Sequence, residues 1–238
     1  MDNQYHVPLL STLSPLEREG IQRSFIARVY AWMALGLFIT TTAALTTLSI
    51  PGLLLSIVTN QVLFFGLLFG ELMLVIALSA AISRLSPAVA GLAFVAYAAL
   101  NGVTLSILML VYTGASIAST FGIAACTFGM MTLFGYTTRR DLTKAGSLLI
   151  MALLGLVLAS LLNLFLQNEA IYWISTFVGI LIFIGLIAYD TQKLKNMSLV
   201  VSADGAVVQK ASILGALSLY LDFINLLLLL LRIFGRRR

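Results

Sequence analysis

Seven long apolar runs occupy most of this 238-residue chain and limit what it can fold into. A helix needs about 20 mostly apolar residues to cross the hydrocarbon core of a bilayer, and each run has that length. Of all residues, 61% are hydrophobic and 10% are charged, against about 45–50% and about 25% in soluble globular domains. The sequence therefore predicts an all-α membrane protein with seven transmembrane helices. The predicted spans are residues 25–48, 62–82, 88–111, 116–135, 147–166, 171–193 and 213–233.

The connections between these runs are short, so the chain is predicted to form one domain. Residues 25–238 make up a single seven-helix transmembrane domain, and residues 1–24 form a short cytoplasmic N-terminal tail. This tail lacks the basic, apolar and small-residue regions of a cleavable signal peptide. The first span would then act as an uncleaved membrane anchor.

Basic residues are divided unevenly between the two sides of the predicted bundle. The N-terminus and the connections after spans two, four and six share one side and hold ten of the 14 basic residues. The other three connections hold none, so the positive-inside rule places the ten-residue side, and the N-terminus, in the cytoplasm. The net charge of +5 therefore indicates membrane orientation and contact with anionic head groups, not nucleic-acid binding. The ten residues are Arg18, Arg23, Arg28, Arg84, Arg139, Arg140, Lys144, Lys193, Lys195 and Lys210.

Four C-terminal arginines conflict with this orientation. Seven spans place Arg232 and residues 236–238 on the outer side, whereas a six-span chain with a re-entrant last segment would bring them inside. Seven spans are preferred because residues 213–233 are long enough to cross the bilayer.

Three of the nine acidic residues lie within predicted spans: Glu71, Asp190 and Asp222. A carboxylate at the centre of a spanning helix costs at least ~2.5–3.5 kcal/mol on insertion scales and usually marks a pathway, relay or sensor. Glu71 is either a third carboxylate along a cation path or a buried, protonated side chain bonded to a neighbour such as Asn101.

Asp190 and Asp222 lie on consecutive antiparallel spans. Helical rise places Asp190 about 8 Å inside the end of the sixth span and Asp222 roughly 13 Å inside the start of the seventh, so the two differ in depth by about one turn. If these faces meet, the carboxylates can approach to hydrogen-bonding distance. Ser218, Asp222 and Asn225 have i, i+4, i+7 spacing and share one face of the last span, which predicts a polar stripe along an ion pathway.

Two carboxylates close together in a low dielectric do not easily ionise together, so such a pair shares a proton and titrates as a unit. Asp190 and Asp222 are therefore candidates for a gate and pH sensor that is closed when one proton bridges them. Calcium prefers 6–8 oxygen ligands, so the two aspartates fit a transient calcium site and not a tight cage. The alternative interpretation is a purely structural, hydrogen-bonded pair.

The sequence has no Gly-rich phosphate loop, no cluster of metal ligands and no Ser–His or Cys–His pair, so neither an enzyme nor a cofactor is expected. An intramembrane aspartyl protease matches Tyr189-Asp190 and Asp222 superficially. The second aspartate, however, lies in YLDF, without the glycines that let a substrate backbone approach.

Two segments carry a family resemblance: AYDTQKLK at residues 188–195 and LSLYLDFINLLLLLLRIFG at residues 217–235. With Arg28 and YTTRRDL at residues 136–142, they make the chain similar to bacterial members of the Bax inhibitor family, the transmembrane Bax-inhibitor-motif proteins. The resemblance implies seven helices with the last one central, and a pH-dependent calcium leak gated by Asp190 and Asp222. Glu71 matches an acidic position of some members. Arg84 falls near, but not on, the position of a basic residue that latches the sixth-helix aspartate in some members.

The leading hypothesis is therefore a pH-sensitive calcium or cation leak channel of the bacterial inner membrane, with the lipid bilayer and the calcium ion as partners. The alternative is a membrane interaction protein that modulates a membrane protease or a stress response through other membrane proteins. The alternative needs no continuous cavity, and it would tolerate Asp222→Asn without loss of partner binding.

Overall fold

The computed structural model describes residues 14–200 and 205–238. Within these ranges the chain is helical, and its only β-type pairing is an isolated bridge between Tyr112 and Arg237. In chain order the helices are α1 Pro15–Ser49, α2 Pro51–Thr59, α3 Gln61–Ala81, α4 Pro87–Leu105, α5 Leu108–Val111, α6 Gly114–Thr137, α7 Thr143–Leu166, α8 Glu169–Val200 and α9 Gly205–Phe234.

Seven stretches of the described chain are long and apolar enough to cross a membrane. The pair α4 and α5 forms one of these spans. The other six are α1, α3, α6, α7, α8 and α9. The prediction of an all-α protein with seven spanning helices is confirmed.

The first helix starts ten residues before the predicted span. At its beginning the Ser14 side chain accepts a hydrogen bond from the Glu17 N–H (3.3 Å), and the Glu17 carboxylate accepts one from the Ser14 N–H (2.8 Å). This reciprocal capping satisfies N–H groups that have no partner inside the helix, and Pro15 occupies the first turn, where its missing N–H costs nothing. Residues 15–24, predicted to be tail, therefore extend the first spanning helix, while residues 1–13 lie outside the described part of the chain.

A short helix that the sequence analysis did not predict, α2, connects the first two spans. It begins at Pro51, and Asn60 ends it and caps α3 by accepting hydrogen bonds from the Val62 and Leu63 N–H groups. The predicted break at residues 49–52 is where α1 ends. With nine residues, α2 is too short to span a bilayer.

The last helix crosses the whole bundle. We call the end of the bundle at which α1 begins its N-terminal end, and the end at which the chain finishes its C-terminal end. At the N-terminal end, the Lys210 ammonium donates to the Ser83 carbonyl (3.0 Å). At the opposite, C-terminal end, the Thr113 N–H donates to the Arg236 carbonyl (3.0 Å) and the Arg238 N–H donates to the Val111 carbonyl (3.0 Å). The chain therefore finishes beside the connection between spans three and four, and the re-entrant six-span alternative is not the structure found.

The last helix, α9, is the most buried span. In its most apolar segment 72% of the residues are buried, against at most 39% in the corresponding segments of the other spans. Helix α9 packs against α1, α4, α6 and α8. Tyr220 makes edge-on contacts with the rings of Phe94 and Tyr97, and Phe223 does so with Phe128. Because lipid solvates apolar side chains as well as protein does, this close van der Waals packing is what holds the helices together.

Helix α7, which is the fifth span, is the least buried of the spans. None of the residues in its most apolar window is buried, and its main packing partner is α8. One side of the bundle is therefore closed by a single helix that faces lipid over most of its surface.

Candidate ion pathway

A cleft of about 660 Å³ runs between α7, α8 and α9. Asp190 on α8 and Asp222 on α9 both line it, so the antiparallel packing of the two helices brings the two predicted residues to one cavity. Its other walls are mostly apolar side chains, with Ser160 of α7 and Ser175 of α8 among them, and Asp222 is only 6% exposed. The polar and charged residues along the cleft include Asp190, Lys193, Ser218, Asp222, Asn225 and Arg232.

Asp190 is bonded to a serine. The Ser218 hydroxyl donates a hydrogen bond to Asp190 Oδ2, and no hydrogen bond joins Asp190 to Asp222 in the described chain. Ser218 precedes Asp222 by one helical turn on the same face of α9, so it lies closer to the depth of Asp190. Helix depth allowed a direct contact between the two aspartates. The structure instead has a hydrogen bond between the Asp190 carboxylate and the Ser218 hydroxyl.

Asp222 Oδ2 is buried and has no hydrogen-bond partner within the described residues. An unpaired buried acceptor is expensive, and a carboxylate oxygen more so than a neutral one. The position therefore favours whatever can satisfy that oxygen, which is a proton, a water molecule or a cation.

A second cavity of about 230 Å³ adjoins the cleft toward the N-terminal end. Asp190, Lys193, Ser218 and Leu221 line both cavities, so the contact between Asp190 and Ser218 lies where the two meet. Along α9 the combined lining extends from Leu214 to Arg232. At 1.5 Å per residue this distance is about 27 Å, close to the roughly 30 Å thickness of a bilayer core.

The predicted polar stripe lies in this cleft. Ser218, Asp222 and Asn225 all line it, and the Asn225 amide nitrogen donates to the Leu221 carbonyl of its own helix (2.8 Å). That bond leaves the amide oxygen of Asn225 available to the cavity. The spacing argument therefore found the correct face of α9.

Glu71 is not brought to the cleft. Its carboxylate accepts hydrogen bonds from the Asn101 amide (3.2 Å) and from the Thr104 hydroxyl. Asn101 in turn accepts one from the Tyr220 hydroxyl (2.9 Å), which lies 2.7 Å from the Thr40 hydroxyl. This buried network joins α3, α4, α9 and α1, and the Asn101 neighbour considered from the sequence is present in it.

The basic residues of the cleft were not found by sequence reasoning. Lys193 follows Asp190 by three residues on α8, and Arg232 follows Asn225 by seven on α9. Both spacings repeat one helix face, so the same periodicity could have found them. Arg84 forms no ion pair with Asp190 within the described residues, and Asp190 is bonded to Ser218 instead.

These features define a class of protein: an integral membrane protein with seven spanning helices and with carboxylates along a cleft beside its most buried helix. The family model of the inhibitors of apoptosis-promoting Bax1 matches residues 22–238. The chain belongs to the Bax inhibitor family.

Relatives resemble the chain over almost its full length. The inner membrane protein YbhL of Escherichia coli (strain K12) is 51% identical over 222 residues, which cover 93% of this chain and 94% of the relative. The uncharacterized protein RP147 of Rickettsia prowazekii is 45% identical, with 92% of each chain covered. The uncharacterized membrane protein SpyM3_0260 of Streptococcus pyogenes is 36% identical, with coverage of 89% of this chain and 92% of the relative.

Proposed function

We propose that this protein is a pH-sensitive calcium leak channel of the bacterial inner membrane, with Asp190 and Asp222 as its gate and pH sensor. The observation that carries the proposal is the placement of both carboxylates along one pair of adjoining cavities that follows α9 for about the thickness of a bilayer core. Family membership and the name of the Escherichia coli relative, an inner membrane protein, support the class and the location.

The oxygens of the cleft suit a passing divalent cation. Asp190 and Asp222 provide carboxylates, Ser218 a hydroxyl and Asn225 an amide oxygen. Calcium takes 6–8 oxygen ligands in a stable site, so this smaller set supports transient binding, which conduction requires. Calcium is cargo in this proposal, and the function is not enzymatic.

The contact between Asp190 and Ser218 gives the gate a location. It lies where the two cavities meet, so a closed contact there separates the two ends of the path. When Asp190 and Asp222 are both ionised, their mutual repulsion favours separation of α8 and α9. A proton bound by either aspartate removes this repulsion, so protonation favours the closed form. Lys193 and Arg232 are the basic groups facing the same cleft.

We also propose that the N-terminal end of the bundle faces the cytoplasm. The support is the concentration of ten of the 14 basic residues on that side. The C-terminal end, with Arg232 and residues 236–238, then faces outward.

The test is calcium flux into proteoliposomes loaded with a calcium dye, scanned from about pH 5 to about pH 8. Wild type is compared with Asp222→Asn and with Asp141→Asn, a matched change at an exposed carboxylate between α6 and α7. We expect flux to rise with pH in wild type and in Asp141→Asn, and to lose this pH dependence in Asp222→Asn. Flux at the level of empty liposomes in wild type would contradict the leak and turn the search to protein partners.

A further inference from the structure

Arg232 places a fixed positive charge at the C-terminal end of the cleft. We propose that Arg232 is a specificity-determining residue, an electrostatic barrier that limits cation entry from that end. This inference rests on the proposed leak and assigns a role to a residue outside the aspartate gate.

The position of Arg232 follows from helix geometry. It lies ten residues after Asp222, about 15 Å further along α9, on the face that also carries Ser218 and Asn225. A cation that enters the cleft at the C-terminal end therefore approaches the guanidinium before it reaches Asp222.

The guanidinium is held in place by uncharged groups. Its carbon lies 5.0 Å from the centre of the Tyr172 ring, and Nη1 donates a long hydrogen bond to the Thr176 hydroxyl (3.5 Å). Both partners lie in the first two turns of α8. In the described part of the chain no carboxylate forms an ion pair with Arg232, so its charge is not neutralised locally.

The charges along the cleft form a definite sequence. Lys193 lies near Asp190 toward the N-terminal end, the two aspartates occupy the middle, and Arg232 lies at the C-terminal end. A divalent ion is attracted by the middle and repelled by Arg232, whose exposed side chain makes this repulsion sensitive to salt. Because arginine carries a fixed charge, this barrier acts throughout the pH scan.

The barrier and the gate are therefore separable. Removing the charge of Arg232 raises calcium flux at every pH, and the flux still depends on pH because both aspartates remain. Removing a carboxylate changes the pH dependence itself. A purely structural role of Arg232 would instead depend neither on salt nor on the sign of the charge at position 232.

The first experiment compares wild type, Arg232→Gln, Arg232→Lys and Arg237→Gln in the calcium-dye proteoliposomes. Arg237 is a matched control because it is exposed at the same end of the bundle but does not line the cleft. We expect Arg232→Gln to raise flux about tenfold at low salt, and Arg232→Lys and Arg237→Gln to stay near wild type. The tenfold difference shrinks in about 1 M salt, where the Debye length falls to about 3 Å.

A second experiment changes the charge in one folded sample. Arg232→Cys is made with Cys126→Ser, which removes the single native cysteine. A positively charged methanethiosulfonate reagent restores the low flux, whereas a negatively charged reagent leaves it high or raises it further. Equal effects of the two reagents would show that bulk, and not charge, controls entry.

The outcomes separate this inference from the proposed function. If wild type leaks calcium and Arg232→Gln leaks at the same rate and with the same salt dependence, the barrier is refuted and the leak stands. If wild type and all variants match empty liposomes, the proposed function fails and the barrier fails with it.

Discussion

Ser218, and not Asp222, donates the hydrogen bond that holds the Asp190 carboxylate. The bond joins α8 to α9 at the point where the two cavities meet. It gives the proposed gate a hydroxyl component that can be removed without changing the charge of the cleft.

We expect Ser218→Ala to weaken the closed form and raise calcium flux several-fold at neutral pH. The change leaves Asp190 without its donor, and such a loss costs about 1–3 kcal/mol for a buried group. The matched control is Ser212→Ala on the same helix, since that hydroxyl donates to the Val208 carbonyl of α9 itself (2.8 Å). Identical flux in wild type and Ser218→Ala across the pH scan would place the gate elsewhere.

We expect Thr40→Val to destabilise the protein by about 1–3 kcal/mol. The Thr40 hydroxyl is buried, contacts the Tyr220 hydroxyl and lies within hydrogen-bonding distance of the Ala98 carbonyl, so its loss disrupts the network that ends at Glu71. Thr41→Val is the neighbouring control, because the Thr41 hydroxyl is exposed and bonds only within α1. Thermal unfolding in detergent measures the difference, and equal melting temperatures for the two variants would show that the network contributes little.

Gly135→Ala tests the contact between α6 and α8. A Cβ at Gly135 would lie 2.2 Å from the Ala188 carbonyl oxygen, two residues before Asp190, so the helices must move apart. We expect a loss of about 1–3 kcal/mol in unfolding free energy, as for other overpacked sites. Gly129→Ala on the same helix has open space around its Cβ and is expected to be neutral or slightly stabilising. A Gly135→Ala protein as stable as Gly129→Ala would contradict the close approach.

Asp141 is a titratable carboxyl group in the connection between α6 and α7, outside the spanning helices. Hydrogen bonds from the Thr143 hydroxyl and N–H lower the pKa of Asp141 below its ordinary value. A lowered carboxyl pKa contributes stability that is present above the ordinary pKa and is lost as pH falls through the lowered one. We expect Thr143→Val to raise the pKa of Asp141, measured by carbon-13 NMR, without changing the pH profile of calcium flux. A shifted flux profile would mean that Asp141 takes part in pH sensing.

The spans could be predicted from the sequence because each apolar run is by itself long enough to cross a bilayer. The early start of α1 was missed since residues 15–24 are polar, although the S-P-L-E capping pattern was readable. Apart from Ser56, residues 53–58 of α2 are apolar, but they are too few to cross a bilayer, so length alone gave no signal for a separate helix.

The site was predictable only where periodicity fixes a face. Ser218, Asp222 and Asn225 were found because their spacing repeats that of a helix. For Glu71 the sequence left two interpretations open, because the rest of α3 is apolar on every side and the pattern does not say which way such a helix turns in lipid. Arg232 was read as a flanking charge because it is near the end of its span, although it follows Asn225 by two turns.

The lipid-facing α7 has a mechanical consequence. Because α8 is its main protein neighbour and none of its most apolar window is buried, the surrounding acyl chains hold the outer side of the cleft in place. A thinner bilayer or a lower lateral pressure changes the tilt of such a helix at little energetic cost. We therefore expect the width of the cleft to respond to the thickness of the surrounding bilayer.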